Sequence, residues 1–124
     1  GAAGGTAYGF AAAWGAAIEP GARYISALSG LSEALKGADV VLTGEGRFDA
    51  TSSTGKVVGE LLGLARRHGT PVGVVAGQVA VDTETWAVAL ADLAGSPERA
   101  MSNPIPALEE AGREAARHFA RTAR

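Results

Sequence analysis

Val40-Val41-Leu42-Thr43-Gly44-Glu45-Gly46-Arg47-Phe48-Asp49-Ala50-Thr51-Ser52-Ser53-Thr54-Gly55-Lys56 is the stretch on which the fold class turns. Its apolar opening, Val40 to Thr43, reads as a buried strand. The residues that follow, Val57 to His68, read as an amphipathic helix with Val57, Val58, Leu61, Leu62 and Ala65 on one face. Between them lies a glycine-rich polar loop. A loop that leaves a strand and opens a helix is where α/β proteins hold ligands, because free backbone N–H groups gather there.

Downstream, Gly69-Thr70-Pro71 is a turn and Val72 to Ala76 a second buried strand. Strand, helix, turn and strand form a βαβ unit, expected to be parallel and right-handed. The carboxyl ends of both strands lie on one sheet edge, so Ala76-Gly77-Gln78 is expected to face Gly44 across a cleft, with Gln78 a ligand candidate. Upstream, Thr6 caps a predicted helix through Trp14, and residues 22–28 and 31–36 suggest two short helices. Asp82 to Leu93 has helical propensity around Trp86. Ser96-Pro97 has the pattern of a helix start. Pro106 to about Arg121 is the closing helix, with Leu108, Ala111, Ala115, Phe119 and Thr122 along one side. The fold class is therefore α/β, a parallel βαβ core with flanking helices, and the whole chain, 1–124, reads as one domain.

Composition narrows the function classes. The 124 residues are 47% hydrophobic, enough for a core, with a formal net charge of −2. That charge gives no general attraction for nucleic acid or anionic membranes. With no cysteine, disulfides, thiolate metal sites and thiol catalysis are excluded. No apolar run approaches the ~20 residues of a membrane span, and residues 1–17 lack the basic leading segment of a signal peptide. A soluble cytoplasmic protein is the expectation. His68 and His118 have no partners at metal-ligand spacing. Arg113, Arg117, Arg121 and Arg124, interleaved with Glu109, Glu110 and Glu114, read as a solvated helix face. Trp14 and Trp86 read as core or interface anchors.

The central loop fails both common nucleotide motifs. A phosphate loop of the Walker type needs glycine where Ala50 stands and serine or threonine where Val57 stands. The dinucleotide fingerprint fails at Asp49. The physical logic survives: Gly55 would let backbone approach an anion at the helix N-terminus, and Lys56 would add a point charge. Glu45 and Asp49 could orient a hydroxyl, accept its proton or bind Mg²⁺ through water. The competing reading is a satisfied surface loop in which Thr51 to Thr54 cap the helix. Of eleven basic residues only Lys36 and Lys56 are lysines, which modestly favours the functional reading. The cluster Gly1 to Gly5, with Gly4 and Gly5 at a predicted helix start, reads either as an anion cradle or as a flexible end.

Taken together, Gly1-Ala2-Ala3-Gly4-Gly5-Thr6, Val40 to Asp49, Ser53-Thr54-Gly55-Lys56 and Val75-Ala76-Gly77 resemble the bacterial type I glycerate kinases. So does the tail from Asp92-Leu93-Ala94-Gly95-Ser96 to Ala111-Gly112. The resemblance implies two α/β domains with an active site between them and transfer of a phosphoryl group from ATP, with Mg²⁺, to a hydroxyl of D-glycerate. It implies Asp49, Lys56 and Glu45 as catalytic residues, with Asp49 the candidate Mg²⁺ ligand. Arg47, Ser53, Thr54, Gly55, Gly44, Gly46, Gly4, Gly5 and Gln78 become the substrate- and phosphate-binding set. Members of that family are much longer, and their amino-terminal part carries a D-S-F-K-G-type loop and a D-G-G segment absent here. Between Val81 and Asp92 this chain also looks shorter. It therefore resembles the carboxyl-terminal third of the enzyme. The expected partners are D-glycerate, ATP and the missing amino-terminal portion, and the chain alone is expected to be inert; homodimerisation is left open. The alternatives are a kinase-like enzyme for another small hydroxy acid and a non-catalytic anion-binding or assembly module.

Overall fold

The computed structural model describes residues 2–53 and 57–122. A turn at Ala2–Gly5 leads into α1 (Thr6–Trp14), then α2 (Gly21–Leu28) and α3 (Leu31–Lys36). Strand β1 (Val41–Phe48) is followed by a 3₁₀ turn at Ala50–Ser53 and helix α4 (Val57–His68). Then come β2 (Val72–Val79), β3 (Trp86–Ala89), α5 (Leu90–Ala94), α6 (Pro97–Ser102) and α7 (Pro104–Thr122). The three strands form one parallel sheet in the order β1-β2-β3. The expected α/β class and parallel βαβ core are present.

Two apolar clusters hold the sheet to its helices. Val41 and Val72 pack on Leu35, Leu61, Leu64 and Ala65, joining α3 and α4 to the strand starts. Further along, Phe48, Val58, Val74 and Ala76 pack together with Leu62, Val79, Val81 and Ala87 around them. The buried residues of α4, Val58, Leu61, Leu64 and Ala65, follow the spacing of one helix face. Buried Thr70 donates from Oγ1 to the Leu35 carbonyl at 2.9 Å, beside the bond that carbonyl accepts from the Ala38 N–H at 3.3 Å, so the turn before β2 is fastened to the end of α3. Nearby, Ser32 Oγ lies 2.8 Å from His68 Nε2, which ties the two helices and gives that histidine a structural partner. On the opposite sheet face, Ala107, Ala111 and Ala115 are buried at fourfold spacing along α7, and Phe119 reaches Trp86. The predicted face is correct from Ala111 to Phe119. Its first member, Leu108, is 44% exposed while Ala107 is buried, because the buried face keeps its fourfold spacing back from Ala111 to Ala107; the helix also starts two residues earlier than expected, at Pro104.

Three expectations need correction. Gly44 to Phe48 is not loop: β1 runs through it, because the register from Gly44↔Val75 to Phe48↔Val79 gives this stretch ladder partners despite two glycines. Strand β2 correspondingly extends three residues past Ala76, to Val79. The predicted helix around Trp86 is instead β3, paired from Gly73↔Trp86 to Ala76↔Ala89, with only Leu90–Ala94 helical. Tertiary pairing overrides local propensity here.

The link from β2 to β3 is unusually short. Parallel neighbours ordinarily need a crossover of about a dozen residues or more, yet only residues 80–85 lie between these strands. Trp86 pairs with Gly73, so the chain must return along nearly the whole of β2. Six residues of β2 rise about 20 Å, and seven Cα steps reach about 23–25 Å when extended. The link must run nearly straight, which leaves no room for a crossover helix.

Glycine sets the strand spacing. A Cβ on Gly77 would fall 2.5 Å from the Gly46 carbonyl oxygen, and one on Gly44 2.9 Å from that of Val75. In exposed α7, a Cβ on Gly112 meets nothing within 4 Å. Gly77→Ala should therefore destabilise by about 1–3 kcal/mol, whereas Gly112→Ala should stabilise by about 0.5–1 kcal/mol. Thermal unfolding followed by circular dichroism separates the two signs.

Along α7, Arg113 Nε donates to Glu110 Oε2 at 2.7 Å, and Arg117 adds a second contact at 3.3 Å. The Arg113 hydrogen bond holds the Glu110 carboxyl below its ordinary value of 4.5. A depressed carboxyl contributes stability above that value and loses it as pH falls through the folded-state value. Melting temperatures from about pH 5 down to about pH 3 should therefore fall less steeply for Glu110→Gln than for the parent chain. Equal slopes would show that this pair contributes nothing.

Candidate active site

The parallel register delivers the polar residues of β1 and β2 side by side. Glu45 pairs with Ala76 and Arg47 with Gln78 at the carboxyl ends of the strands. Arg47 Nη1 donates to Gln78 Oε1 at 3.1 Å, joining the two strand ends as the βαβ reading expects. Its Nε lies 3.5 Å from Asp49 Oδ2, in an ion pair whose arginine is 59% exposed. Exposed pairs of this kind contribute about 0–1 kcal/mol, so Arg47 is held loosely and can exchange partners.

Asp49 has a different environment. Its Oδ1 accepts from the Thr51 backbone N–H at 2.9 Å and from Thr51 Oγ1 at 2.7 Å, an Asx-type turn that starts the 3₁₀ segment. The Asp49 N–H donates to Ser52 Oγ at 3.1 Å, and that hydroxyl donates to the Arg47 carbonyl at 3.3 Å. Ser52 is fully buried. Asp49 and Ser52 thus brace the loop where β1 ends, and both carboxylate oxygens of Asp49 are occupied within it.

Glu45 contrasts with this. It is partly buried, and its Oε1 is inaccessible to solvent with no hydrogen-bond partner among the described residues. A buried polar oxygen without a partner costs about 1–3 kcal/mol, which marks it for explanation. Glu45 also lines a cavity of about 420 Å³ with Gly46, Gly77, Gln78, Leu90 and Met101. A second cavity of about 570 Å³ shares Gln78 and Pro97 with the first and extends past Asp92 and Ser96. The two form a cleft along the carboxyl edge of the sheet.

The structure therefore brings Gly44, Glu45, Gly46, Arg47, Asp49 and Gln78 together. Gly4 and Gly5 are left-handed, at φ 64° and 83°, in a turn that packs on α1 and makes at most marginal contact elsewhere, so this chain does not carry them to the cleft. Thr54, Gly55 and Lys56 lie outside the described residues, as does the side chain of Ser53. The α5–α6 wall of Leu90, Pro97, Ala100 and Met101 is absent from the residues that sequence reasoning selects. A signal for it exists: reading Trp86–Ala89 as a third parallel strand would direct its carboxyl end to these residues.

Among the described residues no group of three or more His, Asp or Glu side chains could hold a metal ion. A divalent ion here would be carried by phosphates and water with one or two carboxylates, the pattern Mg²⁺ favours. Glu45, with an oxygen to spare, fits that demand, and Asp49 in its present bonds does not. No helix of the described residues is long and apolar enough to cross a membrane.

Comparison with known proteins agrees with the motifs. A glycerate kinase family model matches residues 1–120. An uncharacterized protein of Synechocystis sp. is 49% identical over 78 residues, covering 63% of this chain and 21% of its own. One from Mycobacterium bovis is 38% identical over 110 residues, covering 83% of this chain and 29% of its own. A glycerate kinase of Halalkalibacterium halodurans is 37% identical over 79 residues, covering 64% and 21% respectively. No solved structure matches at a comparable level. This chain spans under a third of the length of these relatives, and it belongs to the glycerate kinase family.

The loop brace is open to test. Ser52→Ala removes the acceptor of the Asp49 N–H and should cost about 1–3 kcal/mol in urea unfolding. A loss below about 0.5 kcal/mol, the size of an ordinary surface substitution, would show that the brace does not hold the loop.

Proposed function

We propose that this chain forms one wall of a glycerate kinase active site, as a single α/β domain that requires the rest of the family fold for turnover. The observation that carries the reading is Glu45 on the wall of the cleft, with a buried Oε1 that has no hydrogen-bond partner among the described residues. In a kinase acting on a hydroxy acid, an oxygen so placed orients the substrate hydroxyl and accepts its proton. The hydroxyl oxygen bonds to the γ-phosphorus of ATP as the bond from that phosphorus to the bridging oxygen breaks, and ADP leaves.

Arg47, loosely paired and exposed, supports the second half of the reading. Its guanidinium can turn from Asp49 and Gln78 to the carboxylate of D-glycerate or to a phosphate, which it matches in a bidentate fork. Lys56, with Ser53, Thr54 and Gly55 at the helix opening, is assigned to the phosphates on the family resemblance. Asp49 is assigned to positioning Arg47 and the loop rather than to Mg²⁺. Mg²⁺, when bound with the nucleotide, neutralises charge on the phosphate oxygens.

The ligands are tested separately from the chemistry. Calorimetry on the 124-residue chain with D-glycerate, and then with ATP and Mg²⁺, should detect binding of at least one. A coupled assay on the same chain should give no turnover; kinase-level rates would refute the requirement for the rest of the fold. Binding of neither ligand would favour an assembly module. In an active enzyme containing this chain, Glu45→Gln should lower kcat by about 10²–10⁴-fold with little change in KM for ATP. An unchanged kcat would remove Glu45 from proton transfer.

A further inference from the structure

The amino-terminal helices carry apolar surface that the described residues leave bare. Helix α1, nine residues rich in alanine and aromatics, buries none of its side chains, and Trp14 is 75% exposed. A helix this short is marginal in water without a partner for its apolar side chains. Helix α2 likewise buries no residue, and Ile25 is 61% exposed. Beside it, Ala22, Ile25, Leu31, Val57 and Leu61 line an open apolar groove of about 390 Å³ between α2, α3 and α4.

Strand β1 adds a second kind of incompleteness. It is an edge strand eight residues long, and no described strand pairs with its outer side. The Val41 N–H points inward, to the Pro71 carbonyl at 2.9 Å. Strand alternation therefore turns the N–H groups of Leu42 and Gly44 outward. Parallel sheets are ordinarily covered on both faces; α5 packs on β2 and β3, and Phe119 of α7 covers the Gly73 face beside Trp86. Leu42 lies on that same face, against the Gly73 position, yet is 51% exposed. A long edge opening on Val41, Leu42 and Thr43 is a template for another strand.

We propose that the outer edge of β1, with Leu42 beside it and the apolar faces of α1 and α2, is the docking surface for the remaining portion of the glycerate kinase fold. That portion adds a strand alongside β1 and a helical layer over Leu42. The occupant follows from length and chemistry together. In the relatives, the segment matching this chain is 21–29% of the polypeptide, so ample further chain is present to cover its counterpart. An α/β body supplies both an edge strand and apolar helices, which are the two things this surface lacks. The inference rests on family membership and not on the roles given to Glu45 or Arg47.

The test is association of the 124-residue chain with the unmatched portion of the Mycobacterium bovis relative, co-expressed as a separate polypeptide. Sedimentation velocity should show a one-to-one complex. In that complex the Leu42 and Gly44 amides should exchange at least about tenfold more slowly than in the chain alone, while those of central β2 change little. Leu42→Lys and Ile25→Lys, both at exposed positions, should each abolish recovery of the complex without changing the thermal unfolding of the chain alone. A homodimer that protects β1 equally would assign the surface to a second copy and overturn the proposal. So would a complex in which β1 exchange is unchanged. Should the separated portion be insoluble, the intact relative decides: its strand matching β1 must be as protected as its strand matching β2, and fast exchange there overturns the proposal. None of these readouts depends on activity, so a failed kinase assay leaves them interpretable.

Discussion

The close backbone approach of β1 and β2 at their carboxyl ends is the constraint on which the site depends. At Gly44 the first strand lies against the Val75 carbonyl, and at Gly77 the second lies against that of Gly46. Any side chain at either glycine would separate the strands where Glu45 and Arg47 must sit beside Ala76 and Gln78. The glycines that make the segment look like a loop are therefore what lets it be a strand. They also keep the wall beside Glu45 low, so that the cavity reaches the backbone of Gly46 and Gly77.

That constraint divides the two carboxylates of the segment. Glu45 lies within the ladder, where its backbone is fixed by pairing and its Oε1 is left without a bond among the described residues. Asp49 lies just past the ladder, where the backbone needs a turn, and short acidic side chains are suited to closing one. Its bonds to Thr51 and the support of buried Ser52 follow from that position. By charge alone the two residues are indistinguishable. The difference between strand and turn is what separates a carboxylate with an oxygen to spare from one that holds the backbone.

Much of the fold was legible because it rests on periodicity. Val57 to His68 shows most of its buried face, although Val57 is 70% exposed and Leu64 is buried outside the expected set, and the βαβ order follows from two apolar runs flanking it. Glycine obscures the strand character of Gly44 to Phe48, since local propensity weighs against strand where close packing requires it. Trp86 to Ala89 is hidden for another reason: four residues give too little alternation to reveal a strand, and a link of six residues does not announce a parallel neighbour. The near half of the site, on one continuous segment, could be read directly. The α5–α6 wall could not, because it depends on where β3 ends in space.

The exposed state of Arg47 links the site to the bare surface elsewhere. In open solvent its pairing with Asp49 is weak, since water screens both charges. Covering a cleft excludes water and strengthens every charge interaction inside it, from about 1 kcal/mol toward several for a pair at contact distance. Arg47 and Glu45 would then act on a ligand with a force that a half-open cleft does not provide. An edge strand waiting for a neighbour and an arginine loosely held in water are, on this view, two consequences of the same incompleteness. Completing the sheet would make the wall of the cleft rigid, and closing the cleft would make its charges effective.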